Sequence, residues 1–198
     1  MWGQYKRIIK DNGAIVLTAS QPFTSALVMS NPKMFRYCWY WEKEQPTNPL
    51  QIKRRPGKTV EEVCAFYKNQ CTFNPQKTKF EGKKVTNRIG SSKIGKLVTN
   101  NSLTPIEYID TGMRYPVQVL KIKRDIRKSP ILHPTQKPVA LFEYLIKTYT
   151  NEGDTVLDNA AGSGTTGVAA RNTNRNYILI EKEQEYIDII NQRLTPSH

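Results

Sequence analysis

Cysteine and histidine are scarce in this chain of 198 residues, which holds Cys38, Cys64, Cys71 and two histidines. The cysteines are odd in number and show no C-x-x-C spacing, so neither a disulfide framework nor a zinc site is expected and no metal ligands are assigned. They read as small buried hydrophobes. No apolar run approaches the roughly 18 to 20 residues that cross a bilayer, which excludes a membrane span. The opening Met1-Trp2-Gly3-Gln4-Tyr5-Lys6-Arg7 lacks the apolar core and small-residue cleavage site of a signal peptide, and the expectation is a cytoplasmic protein. Acidic residues are few as well. Their 17 Asp and Glu face 30 Lys and Arg, and a net charge of +13 has the wrong sign for a mimic of nucleic acid. Twelve prolines occur, no two of them adjacent. What is present suffices for a core: 38% of residues are hydrophobic, too many for a disordered chain and enough for one domain, or one domain with a long insertion.

The positive charge belongs to a region. Residues 77–130 hold 13 basic and 4 acidic side chains, whereas residues 139–198 hold 5 basic and 8 acidic. A polyanion suits such a stretch, because each Lys or Arg that neutralises a phosphate releases condensed counterions. The plainer reading of a charge run is a solvated, lysine-rich loop. Position favours nucleic acid: the stretch interrupts two well-patterned α/β segments and carries turn signals at Gly82, Gly90, Ser91-Ser92, Gly95 and Asn100-Asn101.

Along the chain, Trp2 to Lys10 has a helical stripe at Trp2, Tyr5, Ile8 and Ile9, closed by Asn12-Gly13. Ala14 to Ala19 is an apolar run of strand length, of the kind buried on both faces of a parallel sheet. Phe23 to Met29 predicts a short helix, and Phe35 to Trp41 and Val63 to Tyr67 predict strands. Beyond the basic stretch, Val139 to Tyr149 reads as a helix, Thr155 to Asp158 as a strand, Thr165 to Arg171 as a helix, Tyr177 to Glu181 as a strand and Gln184 to Leu194 as a closing helix. That succession contains a βαβ unit.

Gly162-Ser163-Gly164-Thr165-Thr166-Gly167 fits G-x-G-x-x-G between a predicted strand and helix, with Glu181 ending the next strand. Glycines there let backbone N–H groups approach a ligand at a helix N-terminus, and the later carboxylate can accept hydrogen bonds from ribose hydroxyls. Alone, the hexad also fits a tight turn that serves packing only. An adenosine-containing cofactor follows from the context, and NAD is disfavoured twice. Asp158-Asn159-Ala160-Ala161 intervenes between strand and first glycine, placing a carboxylate where it would repel a pyrophosphate and suit an ammonium such as that of S-adenosylmethionine. Only 17 residues follow Glu181, so the rest of the sheet must come from the N-terminal part of the chain, in a permuted order.

With these pieces assembled, the sequence resembles the permuted β-class DNA amino-methyltransferases, which methylate adenine N6 or cytosine N4. The likeness rests on His133-Pro134-Thr135-Gln136-Lys137-Pro138, on Leu157-Asp158-Asn159-Ala160-Ala161-Gly162-Ser163-Gly164-Thr165-Thr166 and on Ile180-Glu181-Lys182-Glu183, in that family's order and spacing. Upstream, Gly13 to Phe23, Phe35 to Lys43, Lys53-Arg54-Arg55-Pro56 and Phe73-Asn74-Pro75-Gln76 look like the segments after its catalytic motif. The resemblance implies a Rossmann-like α/β fold, permuted and incomplete, divided as 1–76, a basic target-recognition insertion over 77–130, and a cofactor-binding part over 131–198. It implies S-adenosylmethionine as cofactor, held by Thr135, Gln136, Lys137, Pro138, Asp158, Gly162, Ser163, Gly164, Thr165, Thr166 and Glu181. Double-stranded DNA is the implied partner, contacted by Lys53, Arg54, Arg55, Lys83, Lys84, Arg88, Lys93, Lys96, Lys121, Lys123 and Arg124. His133 is read as structural, and Asn159 departs from the proline usual after the Asp.

The family's catalytic motif is Asp, Asn or Ser followed by Pro-Pro and an aromatic, and no Pro-Pro occurs here. In the family that motif accepts hydrogens from a poorly nucleophilic exocyclic amine while the aromatic stacks on the flipped base. No catalytic residue is therefore assigned. The same absence implies a lost edge strand and a lost central strand, whose neighbours would be left with unpaired backbone groups. The expectation is a site-specific DNA methyltransferase, adenine N6 placed ahead of cytosine N4, from the restriction–modification setting of a bacterium or phage. It would need a complementing N-terminal segment, a strand-exchanged homodimer or a repacked sheet. The alternative is an inactive methyltransferase-derived module that binds DNA or protein.

Overall fold

The structure is a computed structural model that describes residues 1–80, 111–125 and 136–195. It divides into two units, one of Met1–Asn74 with Val117 onward and one of Pro75–Pro116. The larger unit opens with helix α1 (Trp2–Ile8), strand β1 (Ile15–Ala19), helix α2 (Phe23–Ser30), strand β2 (Phe35–Glu42) and strand β3 (Val60–Phe66). The smaller unit contributes the two-residue strands β4 (Thr78–Lys79) and β5 (Met113–Arg114), and the chain returns through β6 (Val119–Lys121). Helix α3 (Val139–Tyr149), strand β7 (Thr155–Asp158), helix α4 (Thr165–Asn172), strand β8 (Asn176–Leu179) and helix α5 (Gln184–Leu194) complete it. Among the described residues no helix is long and apolar enough to cross a membrane.

In the larger unit a four-stranded sheet runs in the order β1-β3-β2-β6. β3 is antiparallel to both neighbours, and β2 is parallel to β6. The period-two alternation of β3 explains its two faces. Val63 and Ala65 join Trp39, Trp41 and Leu120 under Leu141, Leu145 and Tyr149 of α3, while Cys64 and Phe66 join Ile15, Ala19, Leu27 and Met34 with Trp2 and Tyr5 of α1 against them. β1 corrects one expectation. It is apolar on both faces because Ala14 and Val16 pack with the first cluster and Ile15 and Leu17 with the second, yet its partner is antiparallel. Double-sided burial, not parallel pairing, made the run continuous.

β7 and β8 form a separate, parallel pair joined through α4, the expected βαβ unit. Helix α3 buckles the two sheets together. Its Leu141 and Leu145 lie on the four-stranded sheet, and its Ile146 packs with Ala169 and Ala170 of α4 and with Val156 of β7. On the other side α1 and the turn after it add two tethers: Tyr5 donates to Asn159 Oδ1 at 2.9 Å, and Lys10 meets Asp154 at 3.4 Å. Between these supports the sheets do not merge. Among the described residues β1 and β7 each pair on one edge only, and Leu157, Ile178 and Ile180 of the smaller sheet stand exposed, unlike the covered faces usual for parallel strands.

The smaller unit holds the β4–β5 ladder, Thr78 opposite Arg114 and Lys79 opposite Met113. Lys77 sits over the Tyr115 ring at 4.3 Å, and Arg114 over Phe80 at 4.4 Å. This unit ends at Pro116, so Lys121, Lys123 and Arg124, expected within a 77–130 insertion, belong to the larger unit instead. The reason is β6, whose Val119, Leu120 and Lys121 pair with Tyr40, Trp41 and Glu42.

Packing predicts unequal sensitivities. Leu141→Ala, in a fully buried position, should lower unfolding free energy by about 2 to 5 kcal/mol in denaturant titrations. Ile178→Ala, in the isolated chain, should change it by no more than about 0.5 kcal/mol. A large loss at Ile178 would mean that the exposed face is covered.

Candidate cofactor site

The end of β7, the turn after it and the end of β8 form one constellation. Gly162 and Gly164 hold φ of 52° and 76°, a region that L side chains avoid. At Gly164 a Cβ would also lie 2.8 Å from Ile190 Cγ1 of α5, so conformation and packing both require glycine. Gly167 serves close packing, since a Cβ there would meet Leu179 Cδ1 at 2.6 Å. The turn leads directly into α4, whose first residues, Thr165 and Thr166, are buried.

Two carboxylates flank this turn. Asp158 accepts the Ala160 N–H at 3.0 Å on Oδ1 and the Thr166 hydroxyl on Oδ2. Glu181 accepts the Gly162 N–H at 2.8 Å on Oε2, and the N–H groups of Lys182 and Glu183 at 2.8 and 3.2 Å on Oε1. These contacts orient both groups, and since an ionised carboxylate offers about four acceptor sites, the two on Asp158 leave it acceptor capacity. Arg193, which the sequence reading missed, reaches back from α5 to donate to the Ser163 carbonyl and, at 3.2 Å, to Ser163 Oγ. A basic residue in the last turn of a closing helix gives no sequence signal for that role.

The other expected cofactor residues divide. Gln136 faces the turn, with Ser163 Oγ 3.4 Å from its Oε1. Pro138 is buried at the N-terminus of α3, where the Val139 N–H donates to Asp125 Oδ2 at 2.9 Å. Lys137 turns the opposite way from Gln136. Its Nζ lies 2.7 Å from Glu61 Oε2, and Lys43 Nζ lies 2.8 Å from Glu61 Oε1. Two ammonium groups thus share one carboxylate beside the Trp41 ring, with Lys43 almost wholly buried. Burial works against the ionised form of Glu61, but the hydrogen bonds and charges of Lys137 and Lys43 prevail and hold its carboxyl below the ordinary range. Glu61 also escaped the sequence reading, although paired carboxylates near the start of a strand whose remaining residues are apolar are a signal for a buried partner.

Of the expected DNA contacts, Lys53, Arg54 and Arg55 are exposed on the loop between β2 and β3. Lys121 and Arg124 are each shared with a carboxylate, Glu42 at 3.5 Å and Glu44 at 3.4 Å, while Lys123 is exposed. Thr135, Lys83, Lys84, Arg88, Lys93 and Lys96 lie outside the described residues, as does His133.

With this geometry in hand, comparison with known proteins is specific. A protein-family model described as DNA methylase matches residues 1–192. The type II methyltransferase M2.DpnII of Streptococcus pneumoniae is 52% identical over 62 residues, 31% of this chain and 23% of that protein. M.HpaI of Haemophilus parainfluenzae is 48% identical over 62 residues, 31% of this chain and 20% of that protein. The matched segment therefore spans less than a quarter of these curated relatives. Among solved structures, the M1.HpyAVI–SAM complex is 28% identical with a TM-score of 0.63, covering 97% of this chain and 79% of that one. The cytosine-N4-specific PvuII DNA methyltransferase, at 20% identity, shares the fold with a TM-score of 0.61 over 94% of this chain and 65% of that one.

The shared carboxylate predicts a pH signature. Glu61→Gln strands two ammonium groups and should cost on the order of 3 kcal/mol at neutral pH. Because the native pKa of Glu61 is depressed, its contribution is present above the unfolded carboxylate range and is lost as pH falls through the native value. Thermal melts of wild type and variant should therefore differ at neutral pH and converge on acidification. Equal melting at neutral pH would contradict this account.

Proposed function

This chain belongs to the N6/N4 DNA methylase family, and we propose that it is the part of a DNA amino-methyltransferase that holds the methyl donor and the DNA, the group that activates the target amine coming from a further polypeptide segment. The family uses S-adenosylmethionine, and the constellation around Gly162 and Gly164 fits it. The glycine turn has no Cβ to keep a ligand from its backbone, and carboxylates stand on both sides. Asp158 would take the ammonium of the methionine moiety, Glu181 the ribose hydroxyls, and Gln136 the side opposite the turn. Bound there, the cofactor supplies an electrophilic methyl group to the exocyclic amine of adenine or cytosine. The chain's own residues bind and orient it, and basic side chains outside the site hold the duplex.

The observation that carries the division of labour is double. The sequence has no Pro-Pro with which to form the family's amine-accepting motif, and the described strands of the larger unit form two sheets with open edges at β1 and β7. A segment bringing one strand and that motif would answer both. A second copy of this chain would not, since it lacks the same residues. An inactive binding module is the reading favoured by the missing motif alone, and it has no need of a cofactor site.

Calorimetric titration of S-adenosylmethionine into the chain should show binding that Asp158→Ala abolishes while DNA affinity persists. Labelled methyl transfer to mixed-sequence DNA by the chain alone, with the base read by mass spectrometry, should be absent. Transfer by the chain alone would overturn the division. No cofactor binding by a folded sample would turn the reading to a binding module.

A further inference from the structure

The loop between β2 and β3 is braced at its foot and bare at its tip. At the foot the Lys43 N–H donates to the Thr59 carbonyl at 2.8 Å, and the Thr47 N–H to the Lys58 carbonyl at 3.0 Å. Asn48 cross-braces the arms: its Oδ1 accepts the Lys58 N–H at 2.6 Å, and its Nδ2 donates to the Pro56 carbonyl at 3.3 Å. Gly57 fits so tightly that a Cβ would lie 2.9 Å from Pro46 Cβ. The tip is a single 3-10 turn over Pro49–Gln51, onto whose Gln51 carbonyl the N–H groups of Arg54 and Arg55 donate at 2.9 and 3.0 Å. This scaffold presents Leu50 at 97% exposure, with Ile52 half exposed beside it. Residues 45–59 carry Lys53, Arg54, Arg55 and Lys58 and no Asp or Glu, and among the described residues none of the four pairs with a carboxylate.

Position gives this surface its meaning. Lys43 and Glu61 close the foot of the loop, and Glu61 reaches Lys137, whose neighbour Gln136 faces Ser163 of the glycine turn. A braced, basic, apolar-tipped finger therefore rises from the strand ends whose Glu61 also holds Lys137, next to the Gln136 that faces the glycine turn. Apolar side chains flanked by phosphate-binding cations act on duplexes as wedges that unstack a base step, and chemistry on a base requires it to leave the stack.

We propose that Leu50 is a DNA wedge: Lys53, Arg54 and Arg55 grip phosphates while Leu50 enters the groove and unstacks the duplex beside the cofactor site. This rests on the reading that the chain acts on DNA, and the test separates the two. With a mixed-sequence duplex, anisotropy titrations over a salt series report the grip, and permanganate reactivity of thymines reports unstacking. Lys53→Gln/Arg54→Gln/Arg55→Gln should reduce the log–log salt slope by about 2 to 3. Leu50→Ala should keep the wild-type salt slope, since it removes no cation, but return thymine reactivity to that of free duplex, and Leu50→Phe should restore it. Because Leu50 is solvent-exposed, neither replacement should alter the circular dichroism spectrum. Wild type that binds DNA without raising thymine reactivity, or Leu50→Ala that raises it equally, would overturn the wedge alone. Leu50-dependent binding of anionic vesicles without DNA distortion would overturn it in favour of a membrane surface. Failure of wild type to bind DNA at any salt would remove both the wedge and the functional reading beneath it.

Discussion

One half-buried carboxylate, Glu61, holds together the parts that matter for function. It lies second in β3, neutralises the buried Lys43 just past the end of β2 and fixes Lys137 on the segment that faces the glycine turn. Attraction between such groups is strong where water is excluded, but isolating either partner there is costly, so the cluster acts as a unit. Through it the four-stranded sheet, the foot of the basic loop and Gln136 are placed relative to one another. The cofactor turn has its own anchors in Gly164 against Ile190 and Arg193 against Ser163, and α3 joins the two systems through its apolar faces.

Against that rigidity stands the division of the larger unit's strands into two sheets. A parallel strand pair normally has both faces covered, and backbone groups along an open edge seek partners. Here α3 and α1 hold β7 and β8 near the larger sheet, while Leu157, Ile178 and Ile180 remain in water. The M1.HpyAVI structure has about a fifth of its chain without a counterpart here, enough to contain strands. The residues proposed to contact the cofactor all belong to the chain itself. The element that would complete the sheet and activate the amine is what this reading assigns elsewhere.

Much of the arrangement was legible in the sequence because local signals and tertiary packing agree in the C-terminal part. Val139–Tyr149, Thr155–Asp158 and Gln184–Leu194 form where periodicity, strand length and punctuation place them. β6 was not legible: Leu120-Lys121-Ile122-Lys123 alternates, but over too few residues to stand out within a basic stretch, and pairing with the neighbouring β2 makes Val119–Lys121 a strand. Antiparallel pairing of β1 was hidden because apolar composition reports burial on both faces and says nothing of strand direction. The family resemblance assigns Lys137 to the cofactor pocket, and nothing in the local sequence announced that its ammonium would also meet Glu61, 76 residues away. Long-range pairs of that kind leave no trace in local spacing.

The most direct measurement of the central claim, that β1 and β7 are open edges awaiting a strand, is residue-resolved hydrogen exchange of the isolated chain. Each of these strands pairs on one side, so alternate amides along Ile15–Ala19 and Thr155–Asp158 should exchange at nearly unprotected rates while those bonded to β3 and β8 are retained. Protection at every amide of both strands would show that their edges are already paired, and would contradict the account.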